Sequence, residues 1–361
     1  MPIIIDAHED LAWNILTLNR DYTHSAFETR KIEANSPILT HTDNTVLGWE
    51  DYQSGQVAVV FSTLFVSPER RKLGDWDTQA YKNYKEAHQR YRSQVDVYHL
   101  LVDKYPDKYQ LIRDGKELKS VLQHWKNPQP GHPVGLVILM EGAEGVLKPS
   151  ELEEWWFLGV RIIGPAWAGT RFCGGTREPG PLTEDGRDLL HGMAEIGMTL
   201  DLSHMDEIAS REALDEYRGP IIASHANCAT LLANYTGNRM LSDEVIKKII
   251  QRNGVIGVIP ALPFLKYDWK KTDGRQDFTL DSLFAGHIDH ICQLAGDSRH
   301  VGLGTDFDGG FGLESSPADV DTIADMQKLT PILANRGYSQ EDMELIMGGN
   351  WLRTLQENLP A

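Results

Sequence analysis

The sequence predicts an α/β protein that folds as a (β/α)8 TIM barrel with additional C-terminal helices. Eight short runs rich in Val, Ile and Leu recur along the chain, and helical patterns separate them. Gly, Pro or polar residues bound each run, as is typical of buried parallel strands. The right-handed crossover rule makes closure into a barrel the natural topology. An open, doubly wound sheet is the alternative, but no GxGxxG motif follows the first run.

The eight predicted strands alternate with helices whose ends can be recognised. The strands are residues 3–7, 56–65, 134–141, 159–167, 197–204, 220–225, 254–261 and 300–306. Ser150 precedes the helix ELEEWWFL, and Ser242 opens the helix DEVIKKIIQRN. Thr183 is placed to cap a helix that stops at Gly197. The long helical pattern of residues 77–105 predicts an outer-ring helix, and the chain after residue 306 is predicted to be helical.

Length and composition indicate a soluble, folded protein, which we interpret as a single barrel domain over residues 1–361. There are 52 acidic and 35 basic residues, and the net charge of -17 argues against nucleic-acid and membrane partners. No apolar stretch approaches the roughly 20 residues of a membrane span, and no signal-peptide pattern is present. We therefore expect a cytoplasmic protein.

The three cysteines, Cys173, Cys228 and Cys292, are widely spaced and form no CxxC motif. This pattern indicates neither a disulfide framework nor a thiolate zinc site. We interpret all three as packing residues.

Polar side chains that can bind a metal follow five of the eight predicted strands. In strand order they are His8 and Asp10, Glu141, His204, His225, and Asp306. In a parallel barrel the carboxyl ends of all strands open on one face, where barrel active sites are built. The sequence therefore predicts that these residues converge at the mouth of the barrel as a metal site.

Each of these residues also has a simpler interpretation. A lone histidine at a strand end is more often structural than a ligand, and a lone acid can cap the next helix. Such residues after five strands on one face favour the metal site. By contrast, His287 and His290 lie one turn apart among apolar residues, so we interpret them as structural. The remaining histidines are interpreted as structural or surface residues: His24, His41, His88, His99, His124, His132, His191 and His300.

The number of candidate ligands favours two metal ions. One tetrahedral zinc with an open position typically takes three protein ligands, fewer than are available here. In a dinuclear site, about 3.5 to 4 Å across, a bridging water ionises near neutral pH and becomes the nucleophile. Glu141, alone on its strand, is the natural bridge. His8 and Asp10 would hold one ion, and His204 and His225 the other.

Asp306, in the segment GLGTDFDGG, remains as the carboxylate that can move protons. It can accept one from the attacking water and deliver it to a departing amine. Asp308 competes for this role, but Asp306 is closer to the apolar run, so Asp308 is assigned to anchoring the Gly-rich turn. Glu9 is expected to point away from the ligands.

These segments together resemble the membrane (renal) dipeptidase family, peptidase family M19, within the amidohydrolase superfamily. DAHEDLAW is similar to the family's opening motif, LMEG to its bridging-glutamate segment, and GLGTDFDG to its G-x-G-x-D-F-D-G motif. DLSH and ASHAN are similar to its two paired histidine motifs. The similarity runs from residue 3 to about residue 355 in the same order and spacing.

The resemblance implies a metal-dependent hydrolase with two zinc ions per subunit, the same five ligands, and Asp306 as the acid-base residue. Family members hydrolyse dipeptides, often tolerating or preferring a D-residue at the C-terminal position. They bind the substrate carboxylate through an arginine that matches Arg239 in GNRMLSDE, although about three extra residues precede it here. A solvated arginine before a helix is the alternative interpretation of Arg239. We expect a small dipeptide as the substrate and consider a homodimer as the assembly.

The sequence departs from the family at the end of the fourth strand. The family usually has a histidine there, in an L-T-H segment, whereas this chain reads RIIGPAWAGT and offers Trp167 as a substrate-binding residue. Losing a charged oxyanion donor typically costs ~3 kcal/mol of transition-state stabilisation. Either a neighbour such as Arg171 supplies the charge, or the substrate is another one, such as an N-acyl amino acid, a cyclic amide or a lactone. A metal-binding barrel without catalytic activity is the alternative of another class.

Overall fold

The predicted (β/α)8 barrel is confirmed by the computed structural model, which describes residues 1–127 and 131–361. Within those ranges, eight parallel strands pair in the order β6-β5-β4-β3-β2-β1-β8-β7. Backbone hydrogen bonds from Ala223 N to Val255 O (2.9 Å) and from Gly257 N to Ala223 O (2.8 Å) join β6 to β7 and close the barrel. The barrel strands are β1 Ile4–Glu9, β2 Val57–Phe65, β3 Val134–Glu141, β4 Val160–Gly164, β5 Thr199–Asp201, β6 Ile221–Ile222, β7 Ile256–Val258 and β8 Val301–Leu303.

Helices cover the outside of the barrel, as the sequence predicts. In the described part of the chain they are α1 Leu11–Leu18, α2 Ala26–Glu33, α3 Trp49–Gly55, α4 Tyr84–Lys104, α5 Gly115–His124, α6 Leu152–Phe157, α7 Glu184–Ile196, α8 Glu207–Glu216, α9 Asp243–Gln251, α10 Leu262–Leu265, α11 Ala285–Ala295, α12 Leu329–Asn335, α13 Gln340–Glu344 and α14 Asn350–Asn358. Three short additions lie beside the barrel. Tyr109–Leu111 pairs with β3, Ser67–Pro68 pairs with Ala80–Tyr81, and Cys173–Gly175 pairs with Glu178–Leu182 in an antiparallel hairpin, here called the 173–182 hairpin.

Two of the predicted helix caps are confirmed and one is wrong. The hydroxyl of Thr183 accepts a hydrogen bond from Gly186 N at the start of α7, and that of Ser242 accepts one from Val245 N at the start of α9. Ser150 lies inside a 3-10 turn, Pro149–Glu151, that leads into α6, so its side chain caps nothing. The local sequence pattern does not distinguish an N-cap from the first turn of a tighter helix.

The outer-ring helix predicted over residues 77–105 begins later than expected. α4 starts at Tyr84, because the Asn83 side chain caps it by accepting from Glu86 N at 3.0 Å. The residues before Asn83 include the short strand Ala80–Tyr81 instead. The prediction therefore placed the start of the helix seven residues too early, since helical periodicity alone carries no signal for a short edge strand.

The C-terminal helices pack against the barrel wall at β8. Trp351 is fully buried, and its Nε1 donates a hydrogen bond to Leu303 O at 2.9 Å. Asn350 Nδ2 donates to Ser298 O at 2.7 Å and to Val301 O at 2.8 Å. Satisfying both carbonyls fixes α14 to the last strand. Of the helices in the described residues, none combines the length and apolar character needed to cross a membrane.

The interior of the barrel is crowded where β6, β7 and β8 meet. A Cβ atom added at Gly257 would lie 1.9 Å from Ser224 O, and one added at Gly304 would lie 1.8 Å from the same oxygen. Both contacts are with backbone, which cannot rotate away. Glycine is therefore required at both positions for the backbones to approach so closely.

The substitution Gly304→Ala tests this crowding. We expect it to lower the free energy of unfolding by about 3 kcal/mol, because the new methyl group overlaps a backbone carbonyl in a packed interior. Gly286→Ala in α11 is the matched control. An added Cβ meets nothing within 4 Å there, and alanine favours a helix by up to about 1 kcal/mol. Urea unfolding of the three proteins measures the difference, and equal stability of Gly304→Ala and the parent would contradict the interpretation.

Candidate metal centre

The six side chains predicted at the strand ends lie together at the mouth of the barrel. Each of these six residues is at most 8% exposed. Three overlapping groups have ligand atoms within 4.8 Å of one another: His8 with His225 and Asp306, His8 with Asp10 and Glu141, and Glu141 with His204 and His225. Strands β1 and β3 and the segments that follow β1, β5, β6 and β8 therefore deliver their polar side chains to one buried cluster.

One half of the cluster is built around His8. Its Nε2 lies 3.8 Å from Asp10 Oδ2, 3.9 Å from Glu141 Oε2 and 3.8 Å from Asp306 Oδ1. Burial lowers the pKa of His8, but the carboxylates of Glu141 and Asp10 raise it to about 10. Three acids around one imidazole thus create a place for positive charge.

The other half contains the two remaining histidines. His204 Nε2 lies 2.9 Å from His225 Nε2, and both nitrogens face Glu141 Oε1, at 3.0 Å and 3.4 Å. Burial lowers the pKa of His204 and of His225 well below the ordinary value. Both imidazoles are therefore neutral, which is the form that binds a metal.

The donor set fits metal ions. A tetrahedral ion with bonds of about 2 Å holds its ligand atoms about 3.3 Å apart, close to the spacing of the His204, His225 and Glu141 atoms. Both ring nitrogens of His8, Asp10 Oδ1 and Glu141 Oε1 are buried without a hydrogen-bond partner among the described residues. Buried polar atoms left unpaired are costly, and a cation among them would satisfy them.

Several of these side chains are presented by sharp turns. The backbone φ angles are +68° at His204, +54° at Asp306 and +62° at Asp308, all in the left-handed region. Such conformations cost of order 1–3 kcal/mol for residues other than glycine and persist where the surrounding structure determines them. The strands end at these turns, so the side chains of His204 and Asp306 point into the mouth, whereas that of Asp308 is buried in the turn itself.

A hydrogen-bond relay fixes the orientation of His225. Ser224 Oγ donates to Asp201 Oδ2 at 2.5 Å and lies 2.8 Å from His225 Nδ1. With its proton donated to Asp201, the hydroxyl accepts from Nδ1, which leaves Nε2 free for a metal. Ser203 Oγ also accepts from His225 N at 3.0 Å. The sequence analysis did not assign roles to these residues, although the segments DLSH and ASHAN contain them.

His204 is oriented by a residue that the sequence analysis missed. Thr176 Oγ1, at the tip of the 173–182 hairpin, lies 2.9 Å from His204 Nδ1. The hydroxyl thereby holds the ring with Nε2 towards Glu141. No local pattern could have identified Thr176, because it is 28 residues away in the chain and meets His204 only in the folded protein.

Asp306 and Asp308 occupy different environments. Burial raises the pKa of Asp306 to about 7, and its side chain borders an open cavity. The Asp308 carboxylate is fully buried and accepts from Tyr22 Oη at 2.9 Å and from Val46 N at 3.0 Å, which anchors the turn. Glu9 is also buried away from the cluster and accepts a hydrogen bond from the Tyr52 hydroxyl.

Arg239 lies in the same cavity and is almost completely buried. Its Nη2 donates to His225 O at 2.8 Å, whereas Nε and Nη1 have no partner among the described residues. Burial lowers its pKa, and the carboxylates of Asp306 and Glu141 act in the opposite direction. The guanidinium therefore has unused donors beside the cluster, and it is not a solvated side chain.

The cavity above the cluster has a volume of about 210 Å³. One wall is apolar and consists of Trp13, Phe65, Leu73 and Trp167. The rings of Phe65 and Trp167 meet edge to face at 5.0 Å between centroids. The sequence analysis missed two other residues that border this cavity, Arg71 and Arg177.

The structure corrects the expectation for Arg171. Its side chain does not border this cavity, because its Nη2 donates to Val146 O and its guanidinium lies over the rings of Tyr84 and Phe172. It therefore does not replace the charge of a histidine beside Trp167.

The structural roles predicted for His287 and His290 agree with their contacts: His287 Nδ1 accepts from Cys228 N, and His290 Nε2 lies 2.8 Å from Asp243 Oδ1.

Comparisons with known proteins support a peptidase. The family model described as membrane dipeptidase (peptidase family M19) matches residues 1–359. The dipeptidase verJ of Clonostachys rogersoniana is 26% identical over 360 residues, which cover 98% of this chain and 83% of that protein. The dipeptidase tcpJ of Claviceps purpurea is 27% identical over 315 residues, which cover 84% of this chain and 67% of that protein.

A solved structure shows the same fold. The crystal structure of a metallo peptidase from Rhodobacter sphaeroides, liganded with a phosphinate mimic of the dipeptide L-Ala-D-Ala, has a TM-score of 0.78 and 21% sequence identity to this chain. The match covers 99% of this chain and 100% of that one.

The relay behind His225 leads to a prediction about metal affinity. We expect Ser224→Ala to weaken metal binding about 10- to 100-fold, because His225 loses the partner that fixes its tautomer. Ser316→Ala is the control, since it removes another buried hydroxyl, one that donates to Gly312 O and forms no hydrogen bond with the six candidate ligands. Titration of both metal-free variants with zinc measures the affinities. Parental affinity in Ser224→Ala would contradict the role of the relay.

Proposed function

Because the chain belongs to the membrane dipeptidase family, peptidase family M19, it is a metal-dependent dipeptidase, and we propose that it uses two zinc ions at the mouth of its barrel. The observation that carries this proposal is the buried cluster in which Glu141 faces all three histidines. One carboxylate shared between two sets of ligands is the arrangement expected of a bridged pair of ions.

In this proposal His8 and Asp10 would hold one ion, His204 and His225 would hold the other, and Glu141 would serve both. When bound, the ions polarise the scissile carbonyl and lower the pKa of a water that serves as the nucleophile. The hydroxyl of Ser224 fixes the orientation of the His225 ring, and that of Thr176 fixes the orientation of the His204 ring. The apolar wall of the cavity limits the access of bulk water.

Asp306 is proposed to carry the proton. Its Oδ1 lies 3.8 Å from His8 Nε2, at the border between the ligands and the cavity. From there it can take a proton from the attacking water and pass it to the departing amine. The hydrogen bonds to the Asp308 carboxylate anchor the turn and so fix the backbone near Asp306.

Arg239 is proposed to bind the C-terminal carboxylate of the substrate. Its Nε and Nη1 have no hydrogen-bond partner among the described residues, and each can donate a charge-assisted hydrogen bond to a carboxylate. Trp167, which also lines the cavity, is proposed to contact the substrate through its apolar ring. The relative from Rhodobacter sphaeroides was crystallised with a mimic of L-Ala-D-Ala, so we include a D-residue at the C-terminal position in the proposal.

A second candidate substrate class is favoured by Trp167. Indole carries no charge, and Arg171 does not supply one to the cavity. An N-acyl amino acid keeps the scissile amide and the free carboxylate while lacking the charged amine. Assaying zinc-loaded protein on L,L and L,D dipeptides beside N-acetyl amino acids separates the two classes.

The cytoplasmic location, the homodimer and the single domain stay predictions from the sequence.

The variant Asp306→Asn tests the proton carrier. We expect kcat to fall at least about 100-fold, because an amide cannot accept and return the proton, while two zinc ions remain bound. Asp10→Ala is the matched comparison, and we expect it to lose zinc along with activity. Metal analysis and dipeptide hydrolysis are measured on the same samples. Full activity in Asp306→Asn would reject its role, and full activity of the metal-free parent would reject the metal.

Replacing Arg239 tests carboxylate recognition. We expect Arg239→Lys to raise KM for a dipeptide about tenfold or more, because a lysine ammonium cannot reproduce the fixed, planar donors of the guanidinium. The corresponding dipeptide amide should be a poor substrate of the parent and should respond little to the substitution. Steady-state kinetics with the two substrates provide the test, and equal hydrolysis of dipeptide and amide by the parent would contradict it.

A further inference from the structure

Two arginines border the cavity in addition to Arg239, and they differ in their partners. Arg71 Nε donates to Glu178 Oε1 at 2.8 Å, so its charge is already paired. Arg177 is exposed at the rim, and its guanidinium has no hydrogen bond or ion pair among the described residues. A free guanidinium at the rim of a substrate cavity is available to a ligand.

The backbone of Arg177 is held in place from both sides. It sits at the tip of the 173–182 hairpin with φ at +64°, and its N donates to Asn238 Oδ1 at 2.9 Å. Asn238 Nδ2 in turn donates to Gly175 O at 2.9 Å and to Asp206 Oδ2 at 2.8 Å. Thr176, the preceding residue, contacts the His204 ring. A left-handed backbone at arginine is maintained here by these contacts.

This tether also fixes where Arg177 lies relative to the substrate. Asn238 is the residue immediately before Arg239, which is proposed to bind the C-terminal carboxylate. The hairpin tip is therefore attached to the segment that holds the C-terminal residue of the dipeptide. Arg177 therefore borders the same cavity as Arg239 and is tethered to the segment that carries it.

The charges around the cavity favour an acidic ligand there. Its acidic lining residues are Asp10, Glu141 and Asp306, all of which belong to the ligand cluster. None of the described residues at the rim offers a carboxylate to Arg177. A chain with a net charge of -17 thus keeps an unpaired cation at the entrance to its cavity.

We propose that Arg177 is a specificity-determining residue that binds the side-chain carboxylate of an acidic C-terminal residue. The preferred substrates are then dipeptides that end in aspartate or glutamate. This inference rests on the proposed function, because it takes Arg239 as the site of the C-terminal α-carboxylate. Arg239 would bind the α-carboxylate and Arg177 the side-chain carboxylate of the same residue, each through charge-assisted hydrogen bonds.

The test compares two nearly isosteric substrates, Ala-Glu and Ala-Gln, with the C-terminal residue in the L or the D form, whichever the zinc-loaded protein hydrolyses faster. We expect kcat/KM to favour Ala-Glu at least about tenfold, the size of one charge-assisted hydrogen bond. In Arg177→Gln the ratio should fall to about 1, with the loss on Ala-Glu appearing in KM. Arg177→Lys should retain part of the preference, since it keeps the charge.

Lys82→Gln is the control for overall charge. Lys82 is exposed and lies outside this cavity, so its variant should keep the parental ratio. Hydrolysis of Ala-Gln and Ala-Glu at equal rates by the parent, or an unchanged ratio in Arg177→Gln, would overturn the inference while leaving the dipeptidase activity in place. If the zinc-loaded protein hydrolyses neither these two peptides nor any other dipeptide, the proposed function is rejected, and the inference is rejected with it.

Discussion

Exclusion of water from a cluster of three acids and three histidines is the constraint on which the rest of this structure depends. Charged groups in such a place are stable only if opposite charges face them. The acids around His8 raise the pKa of its imidazole, whereas burial lowers the pKa of the other two histidines. Glu141 faces both sets. Cations bound here would neutralise the acids and use lone pairs that otherwise have no partner.

In the barrel, the strands bring these residues together and the turns orient their side chains. Parallel strands bring residues from distant parts of the sequence to one face, and turns with left-handed backbone aim the side chains inwards. Behind the ligands, Asp201 and Ser224 fix one imidazole from inside the barrel, and Thr176 fixes another from a hairpin outside it. The centre is therefore held by residues that are themselves well packed.

The sequence was sufficient to predict the strands and the residues at their ends, because buried parallel strands are continuous apolar runs and their polar ends stand out. It also singled out Asp306 over Asp308, and the structure places only Asp306 at the cavity. Ser150 was wrong as a cap because a 3-10 turn precedes the helix. Arg71, Thr176 and Arg177 were missed because they come from loops whose positions depend on tertiary contacts, which no local pattern encodes.

The 173–182 hairpin places two adjacent residues in different surroundings. Thr176 supports a histidine of the centre, so a change there threatens every substrate equally. Arg177, one codon later, faces the entrance and supports none of the cluster. A substitution at position 177 can therefore change the substrate preference of the protein without changing its metal centre. Diversification of substrate range within such proteins would be expected to concentrate at hairpin tips, while the neighbouring hydroxyl is inherited unchanged.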